Sequence, residues 1–549
     1  MCRKYLFIIL VAMTATTFSC HTKKQKVDLI VYNAHVYTVD ESFSVKDCFV
    51  INEGMILDVG TKSDMLKRYD AKQSVDMDGK FVYPGFIDAH CHFYGYAHSL
   101  LEANLAGTKS FTEVLYVLSE FYKTRKPLWI KGRGWDQNDW EIKEFPEKSR
   151  LDSLFPSNPV LIIRVDGHAA LANSAALKIA GVNANTKVSG GIVETVNGKL
   201  TGILVDNAIE LVNKYIPDYS DKEISKVLIN AADNCFGVGL TSVGDAGLDK
   251  RIISMMDSMQ KKGTLKMKVY AMINPTEENL NTYMYFGRYK TPYMNVRSVK
   301  LFADGALGSR GACLLKPYND SPENCGLMVT TVDSLKKICE LAFKYGYQVN
   351  THAIGDSAVR TILNIYAQYL KTSNDYRWRI EHSQVVSPED INKYGKYNII
   401  PAVNMVHATS DMYWATDRLG EERIKYAYAY KNLMKENGWL CNGSDFPIEN
   451  INPVYGYYAA ICRKDLNGFP EFGFQKENAL SRIDALKAMT IWAAKSFFEE
   501  NEKGSIEQGK YADFVVLDKD ILSIPENEIP TAKVLMTYIN GHKVYSAVK

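Results

Sequence analysis

Between residues 81 and 444, short β-prone apolar runs alternate with stretches whose apolar residues recur every three or four positions. Parallel βα units require this alternation, because each strand is buried on both faces and each crossover needs a helix. Eight runs qualify: residues 81–89, 239–245, 265–273, 297–303, 348–351, 377–381, 398–403 and 439–444. Helical patterns at 333–345, 357–370, 388–394 and 481–496 lie between or after them. Eight parallel strands predict an α/β fold, a (β/α)8 TIM barrel. The first and second runs are separated by far more chain than a loop uses, so residues 104–218 are read as an inserted subdomain.

Both ends of the chain have a different character. Leu29-Ile30-Val31-Tyr32 and Cys48-Phe49-Val50-Ile51 near the start, and Asp513-Phe514-Val515-Val516-Leu517 near the end, are strand-like and broken by turns. Residues 27–84 and 505–549 are therefore expected to build one small β-sandwich domain beside a barrel at 85–504. No internal repeat interrupts this plan. The 549 residues carry 65 Lys plus Arg against 63 Asp plus Glu, a net charge of +2, which gives no electrostatic footprint for nucleic acid. Hydrophobic residues at 46% fit a globular chain and exclude a disordered or fibrous one. The ten cysteines include no CxxC pair, and most sit in apolar runs as small buried hydrophobes.

The first twenty residues read as an export signal. Arg3-Lys4 precedes the apolar run Leu6-Phe7-Ile8-Ile9-Leu10-Val11-Ala12-Met13, which is too short for a comfortable membrane span, and small residues lead to Ser19-Cys20. This order resembles a bacterial lipoprotein signal at 1–20, with Cys20 lipidated and 21–26 a polar tether. The expected location is periplasmic or on the outer membrane, with the membrane touched only through the lipid. An ordinary signal or a buried N-terminal helix is the alternative.

Barrel enzymes carry their chemistry at the C-terminal ends of the strands. Here the first run ends in Asp88-Ala89-His90-Cys91-His92, and residues two apart on a strand face the same side, so His90 and His92 can aim at one metal. An HxH pair alone is weak. It gains weight because His352, His382 and Asp445 fall at the ends of the fifth, sixth and eighth runs, although the chain has only ten histidines. Lys300 lies inside the apolar fourth run, where an unpaired ammonium would be costly. Carbamylation by carbon dioxide would make it an anion able to bridge metals; an ion pair with Asp304 is the alternative.

Taken together, these motifs resemble the amidohydrolase superfamily. Pro84-Gly85-Phe86-Ile87-Asp88-Ala89-His90-Cys91-His92 resembles its first strand, and Lys300-Leu301-Phe302-Ala303-Asp304-Gly305-Ala306-Leu307-Gly308-Ser309-Arg310 resembles the family 3 branch, which includes N-substituted formamide deformylase-like proteins. Gly134-Trp135-Asp136, Arg164-Val165-Asp166-Gly167-His168, Gly443-Ser444-Asp445-Phe446-Pro447 and Gly504-Ser505-Ile506-Glu507-Gln508-Gly509 fit the same branch. Val403-Asn404-Met405-Val406-His407 departs from it, lacking the Gln-Pro pair often found before the histidine.

The resemblance implies one or two divalent metals, zinc first, with iron or manganese as alternatives. His90, His92 and Asp445 would hold the more buried ion, His352 and His382 the second, and carbamylated Lys300 would bridge them. Asp445 would serve as the acid/base. His168 would contact the substrate carbonyl, or else pair structurally with Asp166. Arg310, His407 and Trp135 are further substrate-binding candidates. The expected reaction is hydrolysis of a non-peptide C–N bond (amide, N-acyl or N-formyl) in a small molecule by metal-activated hydroxide. Cyclic amide, ester or carbamate hydrolysis on the same site is one alternative, and a non-catalytic surface-anchored binding protein is another. A homodimer is compatible with the sequence.

Overall fold

The computed structural model describes residues 24–217, 219–371 and 374–547. The signal segment, including Cys20, lies outside the described residues. Eight parallel barrel strands follow in chain order: β1 (Phe86–Cys91), β2 (Leu240–Leu248), β3 (Lys268–Ile273), β4 (Met294–Phe302), β5 (Gln348–Ala353), β6 (Arg379–His382), β7 (Ile400–Val403) and β8 (Cys441–Asn442). Each is paired in parallel with its neighbour in that order. The register sets Phe302 opposite His352 and Ala353 opposite His382, so the strand ends come level at one rim.

The strand ladder stops between β8 and β1, and side chains close that seam. The Asp88 carboxylate accepts hydrogen bonds from the Ser444 amide (3.1 Å) and hydroxyl (2.6 Å), and the Asp445 amide donates to the His90 carbonyl at 2.8 Å. Outside the barrel, helices such as Val332–Tyr345 and Asp356–Tyr369 bury a stripe each, including Leu335, Cys339, Val359, Ile362 and Leu363. The first of these is capped by Thr331, whose side chain accepts from the Ser334 amide, and is stopped by Gly346 in the left-handed conformation. The cysteines among the described residues are free, and most are buried. No helix among the described residues is long and apolar enough to cross a membrane.

The first predicted strand divides in two. Residues Phe81–Pro84 belong to the terminal sheet, pairing with Phe514–Leu517, whereas Phe86–Cys91 enters the barrel. Pro84 has no N–H to continue a ladder, and Gly85 sits where any Cβ would lie 2.3 Å from the Thr241 hydroxyl.

Both termini meet in one hydrogen-bonded eight-stranded sheet, and Val36, Phe49, Phe514, Val516 and Tyr538 share its apolar cluster. Its first strand begins at Gln25, inside the segment expected to be a tether. Buried Lys268 of β3 fastens this sheet to the barrel through Asp513 (2.6 Å) and Asn540 (2.7 Å). Between β1 and β2, a separate six-stranded sheet runs from Ala103–Asn104 to Lys199–Asp206. Its core is built from Val114, Leu118, Trp135, Ile162 and Ile203, among others.

Candidate metal centre and substrate cavity

A cavity of about 300 Å³ opens at the C-terminal rim of the barrel. His92, Lys300, His352, His382 and Asp445 line its floor, while His168 and Arg164 of the inserted sheet line its wall. His90 lies just beneath, buried and in ring contact with His92 and His382.

Three histidines have their Nδ1 atoms held by acceptors. His90 Nδ1 meets the Glu381 carboxylate, His92 Nδ1 donates to the Ala246 carbonyl at 3.0 Å, and His382 Nδ1 bonds Asn404 Oδ1 at 2.8 Å. A proton on Nδ1 leaves the Nε2 lone pair free. The lone pairs of His90 and His92 then face Asp445 Oδ1, at 3.5 and 3.2 Å. Asp445 Oδ1 is buried and has no hydrogen-bond donor. Lys300 Nζ reaches His90 Nε2, but no described residue donates to Asp445 Oδ1, and a cation placed between the three groups would relieve their mutual repulsion. Their ligand atoms all lie within 4.8 Å of one another, and donors about 3.4 Å apart are what a tetrahedral ion with ligand bonds near 2.1 Å requires. The residues fit a divalent metal.

The electrostatics agree. Burial, aided by the Lys300 ammonium, lowers His90 to about 4 and drives His352 and His382 well below the usual imidazole value, so all three rings are neutral at pH 7. Burial pushes Asp445 up, but the positive charge that the neighbouring imidazoles take up on acidification outweighs it, so its carboxyl is held well below the usual range and is ionised when the rings are neutral. Burial lowers Lys300 to about 8. Its Nζ lies 3.2 Å from His90 Nε2. Asp304 is committed elsewhere, accepting the backbone amides of Cys313, Ile354 and Gly355 at 2.8–3.0 Å. His352 Nε2 approaches the Gly305 carbonyl at 3.4 Å and Asp304 Oδ1 at 3.6 Å, while its ring meets His382 at 4.6 Å. His382 and Asp445 both have positive φ, 71° and 63°, an uncommon conformation for these residues that turns each out of its strand end toward the cavity.

The remaining sequence candidates divide. His168 lines the cavity, 5.2 Å ring to ring from His352; its Nδ1 bonds Asp206 at 2.6 Å, while Asp166 takes only its backbone amide. His407 also lines the cavity and stacks on His382 at 6.0 Å. Trp135 does not reach it: the indole is fully buried in the inserted subdomain and donates to the Ile162 carbonyl at 3.1 Å. Arg310 also falls outside the cavity lining and pairs with Asp320 on the outer loop, at 2.9 Å. The arginine that does line the cavity is buried Arg164, whose guanidinium is taken up by Asp136, Asp166 and Gln137.

Sequence reasoning missed Glu381. This carboxylate is buried beneath His90 and clamped by Arg379 at 2.6 and 2.7 Å. Arg379-Ile380-Glu381 places two charges on one face of an apolar strand, the same signal that singled out Lys300.

A model of the amidohydrolase family matches residues 73–545. The chain belongs to the amidohydrolase family. It is 33% identical over 538 residues to the protein LONG AFTER FAR-RED 3 of Arabidopsis thaliana, covering 94% of this chain and 91% of that one. It is 25% identical to the N-substituted formamide deformylase of Arthrobacter pascens, covering 94% and 97%. Among solved structures, an uncharacterized metal-dependent hydrolase from Pyrococcus horikoshii matches with a TM-score of 0.75 and 29% identity, over 91% of this chain and 99% of that one. This amidohydrolase thus shares fold and length with metal-dependent hydrolases.

Proposed function

We propose that the protein hydrolyses a non-peptide C–N bond, an amide of the N-acyl or N-formyl kind, in a small molecule. The observation that carries this reading is the convergence of His90, His92 and Asp445, with no donor reaching Asp445 Oδ1, at the floor of a cavity of substrate size. His90, His92 and Asp445 would hold a divalent metal, zinc first, with His352 and His382 offering a second position. Such an ion would polarise the scissile carbonyl and acidify a water.

The chain supplies the rest. Asp445, kept ionised, takes the proton of the attacking water and delivers it to the leaving nitrogen as the C–N bond breaks. His168, fixed through Nδ1 by Asp206, presents its other nitrogen to the cavity and donates to the substrate carbonyl oxygen as charge develops there. Lys300 carries a carbon-dioxide-derived carbamate in this reading, because a buried amine lowered to about 8 has an accessible neutral form that can react. The export reading is part of the proposal, with lipidation at Cys20 tested by fatty-acid labelling of wild type against Cys20→Ala.

The test is metal analysis of purified protein, followed by turnover of N-formyl and N-acyl amines after zinc loading. Asp445→Asn should abolish turnover while part of the metal remains bound. Full activity in that variant would refute the proton transfer, and absence of metal after reconstitution would refute the whole reading.

A further inference from the structure

The wall of the cavity away from the metal ligands is acidic, and its one arginine is already used. Arg164 is taken up by Asp136, Asp166 and Gln137. Asp411 and Glu449 line the same cavity, and among the described residues no lysine or arginine forms an ion pair with either. They come from successive rim loops, after β7 and β8. Asp411 receives hydrogen bonds from the Tyr428 hydroxyl (2.9 Å) and the Gln384 amide (3.2 Å); Glu449 receives one from the Ser410 hydroxyl (2.6 Å). These neutral donors orient the two carboxyl groups without supplying a counter-charge, and burial pushes Asp411 well above the usual carboxylate range, so a cation is what would complete its ionisation.

A second feature at this place is independent of the acids. His407 is 7% exposed, lines the cavity, and its Nε2 has no hydrogen-bond partner; Glu449 is 3.9 Å away, too far for one. A buried polar nitrogen left without a partner is costly. Two like charges sharing a desolvated wall are also unfavourable, and burial with the neighbouring acids pushes Glu449 up to about 7. A cationic group bearing N–H donors would relieve the repulsion, and the polar end of such a ligand would give His407 a partner.

Resting on the hydrolase reading above, we propose that the substrate carries a protonated amine beyond its scissile bond, bound between Asp411 and Glu449 beside His407. His407 stacks on His382, so this subsite lies one ring away from the metal ligands and suits a short spacer.

The probes are N-formyl-1,5-diaminopentane and N-formylhexylamine, which have the same chain length and differ by an ammonium against a methyl. Zinc-loaded full-length protein should favour the ammonium probe by about tenfold or more in kcat/KM, expressed mainly in KM. Asp411→Asn with Glu449→Gln should erase that preference. Glu449→Gln alone, which should shrink it, serves if circular dichroism shows the double variant misfolded. Calorimetric titration with both probes reads the subsite without turnover. Charge-dependent binding that is lost in the variants supports the subsite even if neither probe is hydrolysed, a result that would count against the hydrolase reading alone. Equal handling of the two probes, no binding of either, or a preference surviving in the folded variants would overturn the proposal.

Discussion

Glu381→Gln tests the logic of the centre most directly. The carboxylate is fully buried between two partners, bonding Arg379 Nε at 2.6 Å and Nη2 at 2.7 Å and facing His90 Nδ1 on the other side. The amide would keep the volume of the side chain but not its charge. Arg379, also fully buried, would lose its counter-ion. Removing one partner of a buried ion pair costs about 3–5 kcal/mol, against a total stability of about 5–15 kcal/mol for a typical domain. His90 would also lose the anionic acceptor that fixes its tautomer, because the single amide oxygen left cannot serve both Arg379 and His90, a change that weakens metal binding by about 10- to 100-fold.

The two effects have separate readouts. Urea unfolding of metal-free protein measures the first, and competition with a chromophoric chelator measures the zinc affinity. The pH dependence has a definite sign. Burial opposes ionisation, but Arg379 and His90 hold Glu381 far below its ordinary value of 4.5. Its stabilising contribution is therefore complete above 4.5 and is lost as pH falls through the depressed folded value. The curves for wild type and Glu381→Gln should converge on acidification. A variant with wild-type unfolding and wild-type zinc affinity at pH 7 would refute the account of how His90 is positioned.

Other changes should be selective. Trp135→Phe removes a buried hydrogen bond and some core volume, so stability should fall by about 1–3 kcal/mol with KM unchanged, as thermal unfolding and kinetics would show. Arg310→Ala breaks a partly exposed ion pair and should cost no more than about 1 kcal/mol, again with KM unchanged. Burial lowers His168, but the Asp206 carboxylate outweighs it and raises the ring above its ordinary value. Asp206→Asn should therefore make His168 lose its proton at lower pH, a shift visible by NMR titration of that ring.

The barrel was legible because each strand is a short apolar run at a spacing only βα units explain. The clustering of histidines at the rim was legible for a related reason: histidines are scarce in this chain, and those after the first, fifth and sixth runs mark strand ends. Glu381 was overlooked because its meaning depends on a partner 291 residues away. Trp135 and Arg310 belong to motifs, and motifs do not say which side of a loop a side chain takes. The backbone delivers Asp136 to the cavity while Trp135 turns into the core of the insertion. Asp411 and Glu449 lie on rim loops whose paths no periodicity reports.

The seam between β8 and β1 joins these observations. The amide of Asp445 bonds the carbonyl of His90, so the contact that closes the barrel also sets the separation of two candidate metal ligands. Asp88 reinforces it by taking the Ser444 amide and hydroxyl together with the His90 amide at 3.1 Å. Burial raises the Asp88 carboxyl to about 7, despite these donors. Asp445 is thus held with positive φ by a local network rather than by a continuous ladder, and that conformation aims its carboxylate inward. Asp88-Ala89-His90-Cys91-His92 and Ser444-Asp445 therefore close the fold and position the ligands at once. A substitution at Asp88, which touches neither cavity nor metal ligand side chains, should disturb both together.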